Sequence, residues 1–582
     1  MNRHDQHTLK SNMIRILLPV TRTERCFRVF RLLSSLTAKF DLSFIILNVI
    51  EPKHLDDVND AYQDLNQLAA SHLPAGSYTI VIKHGIPGKV ISAYTRTYPL
   101  DLVILPFTGF TPGYHLSRFQ NINDVLRRSH IPILFIPDPL GGNNINIPFS
   151  NGMIIAPKLH KATQTMGYAL KFARTLADKC TLLVSNGRLR TKRLKDDTNF
   201  IMNRYLNIQI REKFRTVTCR KITLKKLKMQ ALKTNQDLMI IAETARFPHN
   251  RFLWLAQVRK MLSISSSPVL VSRKVPLLFH LEKKFRKIFS KLSDYELTDL
   301  QQSQSRVNLH DSGIEMTGSE LFMGAYSLTG IQVALQRYGL IEDMARIGYT
   351  DIRLDLDTRD RFQHRLRIFD VSESKTLLLV DLVLKMQPAA TLKECQLPRH
   401  LQTEQLLSIE WLHMQDPLRK LPVSKDLFPG QDYPGLGLGW KVLFILKLMA
   451  ERIGAAALCN QPEYYHTGRF FHRFFHFANP ETEAQLMAID RDTYPCQISE
   501  ISWAIFHQAV EMNIDDSWKP FRWSGGLQIL PISMAMHHMF NSRSYRLAIS
   551  EHLKNIQFRV NLEKVKILKA KDVFYQMPGD KP

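Results

Sequence analysis

The residues best suited to chemistry lie in the last third of the chain. Pro434-Gly435-Leu436-Gly437-Leu438-Gly439 runs directly into Trp440 to Ile453, where Val442, Leu443, Ile445, Leu446 and Met449 recur at helical spacing before a stop at Gly454. Glycines let the main chain approach a ligand closely, and a helix N-terminus turns N–H groups toward an anion, usually a phosphate. Gly435, Gly437 and Gly439 are therefore the candidate anion-binding residues. The spacing is G-x-G-x-G, not the G-x-G-x-x-G of a dinucleotide fold, and no G-K-[ST] ending follows. Downstream come Asn460 and an aromatic block from Tyr464-Tyr465-His466 to Phe470-Phe471-His472-Arg473-Phe474-Phe475-His476-Phe477. His472 and His476 stand four apart and would share a helix face, yet no Glu or Cys at ligand spacing completes a zinc set, so no metal is expected. His537 and His538 are adjacent and point to different faces. Glu410, Asp416 and Glu463 are the carboxylates nearest the glycine run; each is either a candidate base for an amine or a plain surface acid.

The elements that must position this loop read as strands over Ile352–Leu356, Leu366–Phe369, Leu377–Leu384 and Leu406–Met414, a Pro-rich loop, the helix, and a strand-like Ala455 to Cys459. The first half reads differently. Pro19, Asp101 and Pro132 are answered by Pro157, Asp237 and Pro268, with matching surroundings: Asp101-Leu102-Val103-Ile104 and Asp237-Leu238-Met239-Ile240, Val125-Leu126 and Met261-Leu262, Pro132-Ile133-Leu134 and Pro268-Val269-Leu270. This is an internal repeat of about 137 residues. Strands are expected at Ile16–Val20, Phe44–Leu47, Tyr78–Ile82, Leu102–Leu105 and Ile133–Ile136, with helices at Arg25–Phe40, Lys89–Thr97 and Ile122–Arg128. The second copy gives strands at Met153–Ala156, Thr181–Val184, Leu238–Ala242 and Val269–Ser272. Continuous apolar strands alternating with helices predict an α/β fold on a parallel sheet. Between the halves, Leu277, Leu278, Leu281, Phe285, Ile288, Phe289 and Leu292 form the apolar face of a basic helix, read either as docked on a domain or as resting on a membrane surface.

On these motifs the first stretch resembles a universal stress protein domain, and the second a divergent one. The resemblance implies a nucleotide loop G-x-x-G-x9-G with a following Ser or Thr, plus an Asp after the first strand. Pro106, Gly109, Phe119 and Gln120 fall on the loop positions and Thr21 near the Asp, so the nucleotide site is degenerate and ATP binding is not expected. In the second copy Ala242, Ala245, Leu255 and Ala256 leave no glycine. The glycine run with its strand before, helix after and strand beyond resembles the GNAT acyltransferase superfamily, whose pyrophosphate loop reads Q/R-x-x-G-x-G/A. Gly437 and Gly439 take the glycine positions and Pro434 the leading one. That resemblance implies acetyl-CoA or coenzyme A as cofactor and a Tyr acid near Phe471 or His472; with that Tyr missing, His472, Tyr464 and Tyr465 are the substitutes, or else simply packed aromatics.

The expected architecture is thus 1–140 and 150–273 as two universal-stress-like domains, 274–319 as basic helix and linker, 320–485 as a GNAT-like α+β domain, and 486–582 as an extension. The function expected is a regulatory, stress-type protein binding an acyl-CoA, with active N-acyl transfer and a ligandless scaffold as alternatives. A formal charge of +25 favours anionic partners, first a small molecule. A second copy of the chain and an anionic membrane surface are further candidates, whereas nucleic acid lacks a supporting motif. Six scattered cysteines form no C-x-x-C pair and no apolar run spans a bilayer, so a reducing cytoplasm is expected.

Overall fold

In the computed structural model the described residues lie between Ile14 and Met577 and exclude, among shorter stretches, 21–28, 52–57, 108–124, 138–148, 157–162, 186–190, 243–257 and 299–320. The chain divides into two compact units, Ser11–Leu277 and Leu278–Pro582.

The first unit is built on β1 (Ile14–Val20), β2 (Leu42–Ile50), β3 (Tyr78–His84), β4 (Leu102–Phe107) and β5 (Ile133–Pro137), then β6 (Phe149–Ala156), β7 (Ala177–Ser185), β8 (Phe214–Cys219), β9 (Leu238–Ala242) and β10 (Val269–Ser272). Each copy is parallel, in the orders β3-β2-β1-β4-β5 and β8-β7-β6-β9-β10. The copies are not separate domains, as the sequence suggested. β5 and β10 pair antiparallel with Leu134 opposite Leu270, so equivalent residues of the repeat face each other and close a single ten-stranded sheet. Both strands are buried along their whole length, which is why neither ends as an exposed edge.

The repeated residues have a structural reason. Asp101 Oδ2 accepts the N–H of Arg15 at 2.9 Å, and Asp237 accepts those of Ser150 and Asn151 at 2.6 and 2.8 Å. Each carboxylate thus pins the start of its copy's first strand. The carbonyls of Pro132 and Pro268 likewise accept from Val103 and Met239 at 3.0 and 2.9 Å. Pro157 lies outside the described residues. The second copy also contains β8, which the sequence reading missed. As an edge strand it has no buried side chain, and polar residues interrupt its run Phe-Arg-Thr-Val-Thr-Cys.

The second unit carries β11 (Ile352–Asp357), β12 (Gln363–Ser372), β13 (Lys375–Pro388), β14 (Gln405–Met414), β15 (Ala457–Asn460), β16 (His476–Phe477), β17 (Val510–Ile514), β18 (Ser517–Pro520), β19 (Gln528–Pro531) and β20 (Phe558–Val560). Its main sheet runs β11-β12-β13-β14-β15-β19-β16, antiparallel except for β14 beside β15. Two boundaries therefore move. β19 belongs to the stretch assigned as an extension from 486, yet it sits between β15 and β16 and completes the sheet. The basic helix, Leu277–Phe289, packs within this unit: Phe285 is fully buried against Tyr338 and Phe444, and Arg286 forms a two-pronged pair with Glu451. Leu281, Ile288 and Phe289 pack against the same core. Among the described residues no helix is long and apolar enough to cross a membrane.

Candidate functional site

β14 pairs with β13 along its whole length but with β15 only from Leu406 to Ile409. Glu410 is bulged out of the register, from Trp411 to Met414 the strand has a ladder partner on one side alone, and its other edge opens where β15 ends at Asn460. The glycine run is rooted at this opening. Just past β14, buried Asp416 donates its N–H to the Pro434 carbonyl at 2.7 Å, and its Oδ1 accepts the Tyr349 hydroxyl at 2.6 Å. Burial, then that carboxylate, pushes the Tyr349 phenol up to about 12, so the phenol keeps its proton and donates it. Asp416 is thus a loop anchor, not a free base.

The run then alternates. Leu436 is buried, Gly437 is exposed in the left-handed region at φ +76°, and Leu438 caps the helix Gly439–Arg452 with no side-chain hydrogen bond. The Lys441 N–H donates to the Leu438 carbonyl at 2.9 Å, and no side chain caps the Gly439 and Trp440 N–H groups ahead of it. A Cβ at Gly437 or Gly439 would meet open space, whereas the conformation of Gly437 is costly for any other residue. These two glycines leave room for a ligand, and no close neighbour requires them to be small.

The aromatic block comes to the same helix end. The Arg473 guanidinium lies 5.1 Å over the Trp440 ring, and Phe474 meets Trp440 and Phe444 edge-on at 5.3 and 5.6 Å. A cation thus stands beside the positive end of the helix, where an anion would sit. Lys441, in the first turn, is paired with Asp343.

The three candidate acids fare differently. His472 Nε2 lies 2.8 Å from Glu483 Oε1, His476 Nδ1 lies 3.6 Å from the same oxygen, and the other oxygen accepts the Phe477 N–H at 2.8 Å. Burial alone would raise the Glu483 carboxyl, but the His472 and His476 imidazoles outweigh it and hold it well below the usual range. Glu483 was missed because it lies beyond the aromatic block, past Asn479-Pro480 and across a turn. Tyr464 packs its ring over Gly430, whose added Cβ would lie 2.8 Å from the phenol oxygen; burial and then Glu463 raise its pKa. Tyr465 is excluded as a donor to a ligand: it is 3% exposed, and its hydroxyl donates to Asp490 at 3.0 Å. Burial, then Asp490, places its pKa well above the ordinary phenol value.

Two buried acceptors stand near the strand opening. Asn460 Oδ1 and Gln528 Oε1, on paired residues of β15 and β19, have no hydrogen-bond partner among the described residues. No three His, Cys, Asp or Glu side chains among the described residues converge as metal ligands would. Thr21, Gly109, Phe119 and Gln120, the degenerate nucleotide positions, lie outside the described residues, as do Ala245, Leu255 and Ala256.

No protein-family model matches the chain, and no curated protein matches it. Among solved structures it is similar to a universal stress protein from Archaeoglobus fulgidus, at 14% identity over 45% of this chain and 96% of that one, with a TM-score of 0.32. UspA from Lactobacillus plantarum matches at 18% identity over 22% of this chain and 99% of its own, TM-score 0.18. The cytoplasmic domain of a prokaryotic cation chloride cotransporter matches at 12% over 45% and 96%, TM-score 0.31. At these values the likeness carries no conclusion about activity, and the repeat and the sheet order rest on the chain's own residues.

Proposed function

We propose that the unit Leu278–Pro582 binds an acyl thioester of coenzyme A in the manner of a GNAT-like domain, with the first unit a universal-stress-type regulatory part that does not use ATP, in a cytoplasmic protein. The observation that carries the reading is the uncapped helix N-terminus behind exposed Gly437, rooted where β14 loses its partner β15. A pyrophosphate fits the first: open N–H groups, a helix dipole and Arg473 nearby all favour negative charge. An extended amide-bearing arm fits the second, because the bare edge of β14 offers main-chain donors and acceptors and Asn460 Oδ1 awaits a donor. Native mass spectrometry of the freshly purified full chain tests this directly: a retained mass that is displaced by added coenzyme A supports the reading, and a chain that retains and takes up no coenzyme contradicts it.

Turnover is the second reading, favoured by the His472–Glu483 pair. In it a neutral amine nitrogen forms a C–N bond at the thioester carbonyl while main-chain N–H groups of β14 stabilise the oxyanion; as the C–S bond breaks, His472, oriented by Glu483, passes the proton the nitrogen loses to the departing thiolate, giving amide and free thiol. Release of free thiol from acetyl-CoA on adding amines would separate catalysis from binding.

A further inference from the structure

One face of the helix Gly439–Arg452 does not close against its neighbours. Leu438, Val442, Ile445, Met449 and Arg452 line an apolar pocket together with Ile331, Leu335, Val380 and Leu382. Of the lining residues only Tyr326, Tyr338 and Arg452 carry polar groups. From Leu438 to Arg452 the lining residues are spread over about 21 Å of helix rise. Space with so apolar a lining does not hold ordered water and favours an apolar molecule.

Its position says what that molecule is attached to. Leu436 and Leu438 both line the cavity, while Gly437 between them is exposed beside the open helix end. The same loop thus turns its side chains to an apolar space and its bare main chain to the place for an anion. Met414, the last residue of β14's open edge, lines the cavity as well. A ligand that satisfies loop, edge and cavity together has a polyanionic head, an extended arm and a long alkyl chain.

We infer that the chain binds a medium- or long-chain acyl-CoA, the alkyl tail occupying this cavity, rather than the acetyl form. The inference rests on the coenzyme reading above, and the test separates the two. Full-length protein is titrated by calorimetry with coenzyme A, acetyl-CoA, octanoyl-CoA, dodecanoyl-CoA and free dodecanoate. Affinity should rise by up to about fourfold per methylene, ~0.8 kcal/mol, from acetyl to dodecanoyl. Ala334→Phe and, separately, Val380→Phe, each adding bulk to the cavity wall, should bring dodecanoyl-CoA back to the affinity of coenzyme A, which itself stays unchanged; a retained melting temperature shows that the variants fold. Equal affinity for acetyl- and dodecanoyl-CoA in the unaltered chain overturns the inference and leaves the coenzyme reading standing. Binding of dodecanoate with none of coenzyme A, abolished by Ala334→Phe, overturns the coenzyme reading and with it the thioester as the source of the chain.

Discussion

The two units put their most distinctive residues to opposite uses. In the first, the residues that the repeat preserves, Asp101, Asp237, Pro132 and Pro268, are spent on joining strands: their oxygens accept main-chain N–H groups inside the sheet. In the second, the most distinctive run leads into a helix with no side-chain cap, with an exposed glycine and a half-paired strand meeting at one place. A motif repeated within a chain can therefore be architectural throughout, while one that occurs once and leaves backbone unsatisfied points to a ligand.

The contrast can be broken first at the junction helix. Phe285→Asp should cost about 4 kcal/mol, a lost buried aromatic plus a buried charge, and be read as a lowered urea midpoint. An unchanged midpoint would mean that this helix is not part of the second unit. The pinning aspartates come next. Asp237→Ala loses two charge-assisted bonds and should cost about 2–3 kcal/mol, whereas exposed Asp101→Ala, with one side-chain acceptor bond, should cost about 1. Equal, negligible losses would remove the architectural reading of the repeat.

A pH effect of about 2 kcal/mol should belong to the second unit. His466, 4% exposed and stacked on Phe428, is pushed by burial from its usual 6.5 to about 3. The unfolded chain then takes up the proton first, so stability is lost as pH falls below 6.5 and the loss is complete near 3. Between pH 7 and pH 5 the difference is about 2 kcal/mol. His466→Phe should flatten that slope, and a slope unaltered in the variant would assign it to other groups.

Much of this was legible in the sequence. The continuous apolar runs around Leu17, Leu47, Ile104 and Leu134 announced parallel strands buried on both faces, and the helix after Gly439 was placed to within a residue. The joining of the copies was not, because the apolar pattern of Ile133–Ile136 says that both faces are covered, not what lies at the edge. β19 is four residues long and ends in a proline, too short to show a period, so the stretch beyond 485 looked separate. At the site the glycines were read from their spacing. Glu483 and the commitment of Tyr465 to Asp490 depend on contacts between segments that no local pattern records.

In the function proposed above, the loop around Gly437 holds a coenzyme's pyrophosphate. Titrating coenzyme A into the full chain and into Gly437→Asp, with both shown folded by circular dichroism, tests it most directly. The added carboxylate has space to stand in the solvent-facing gap beside the helix end, so it should repel phosphate and weaken binding at least tenfold, about 1.4 kcal/mol. Equal affinity in the two proteins would contradict the account and leave the glycine run a turn between strand and helix.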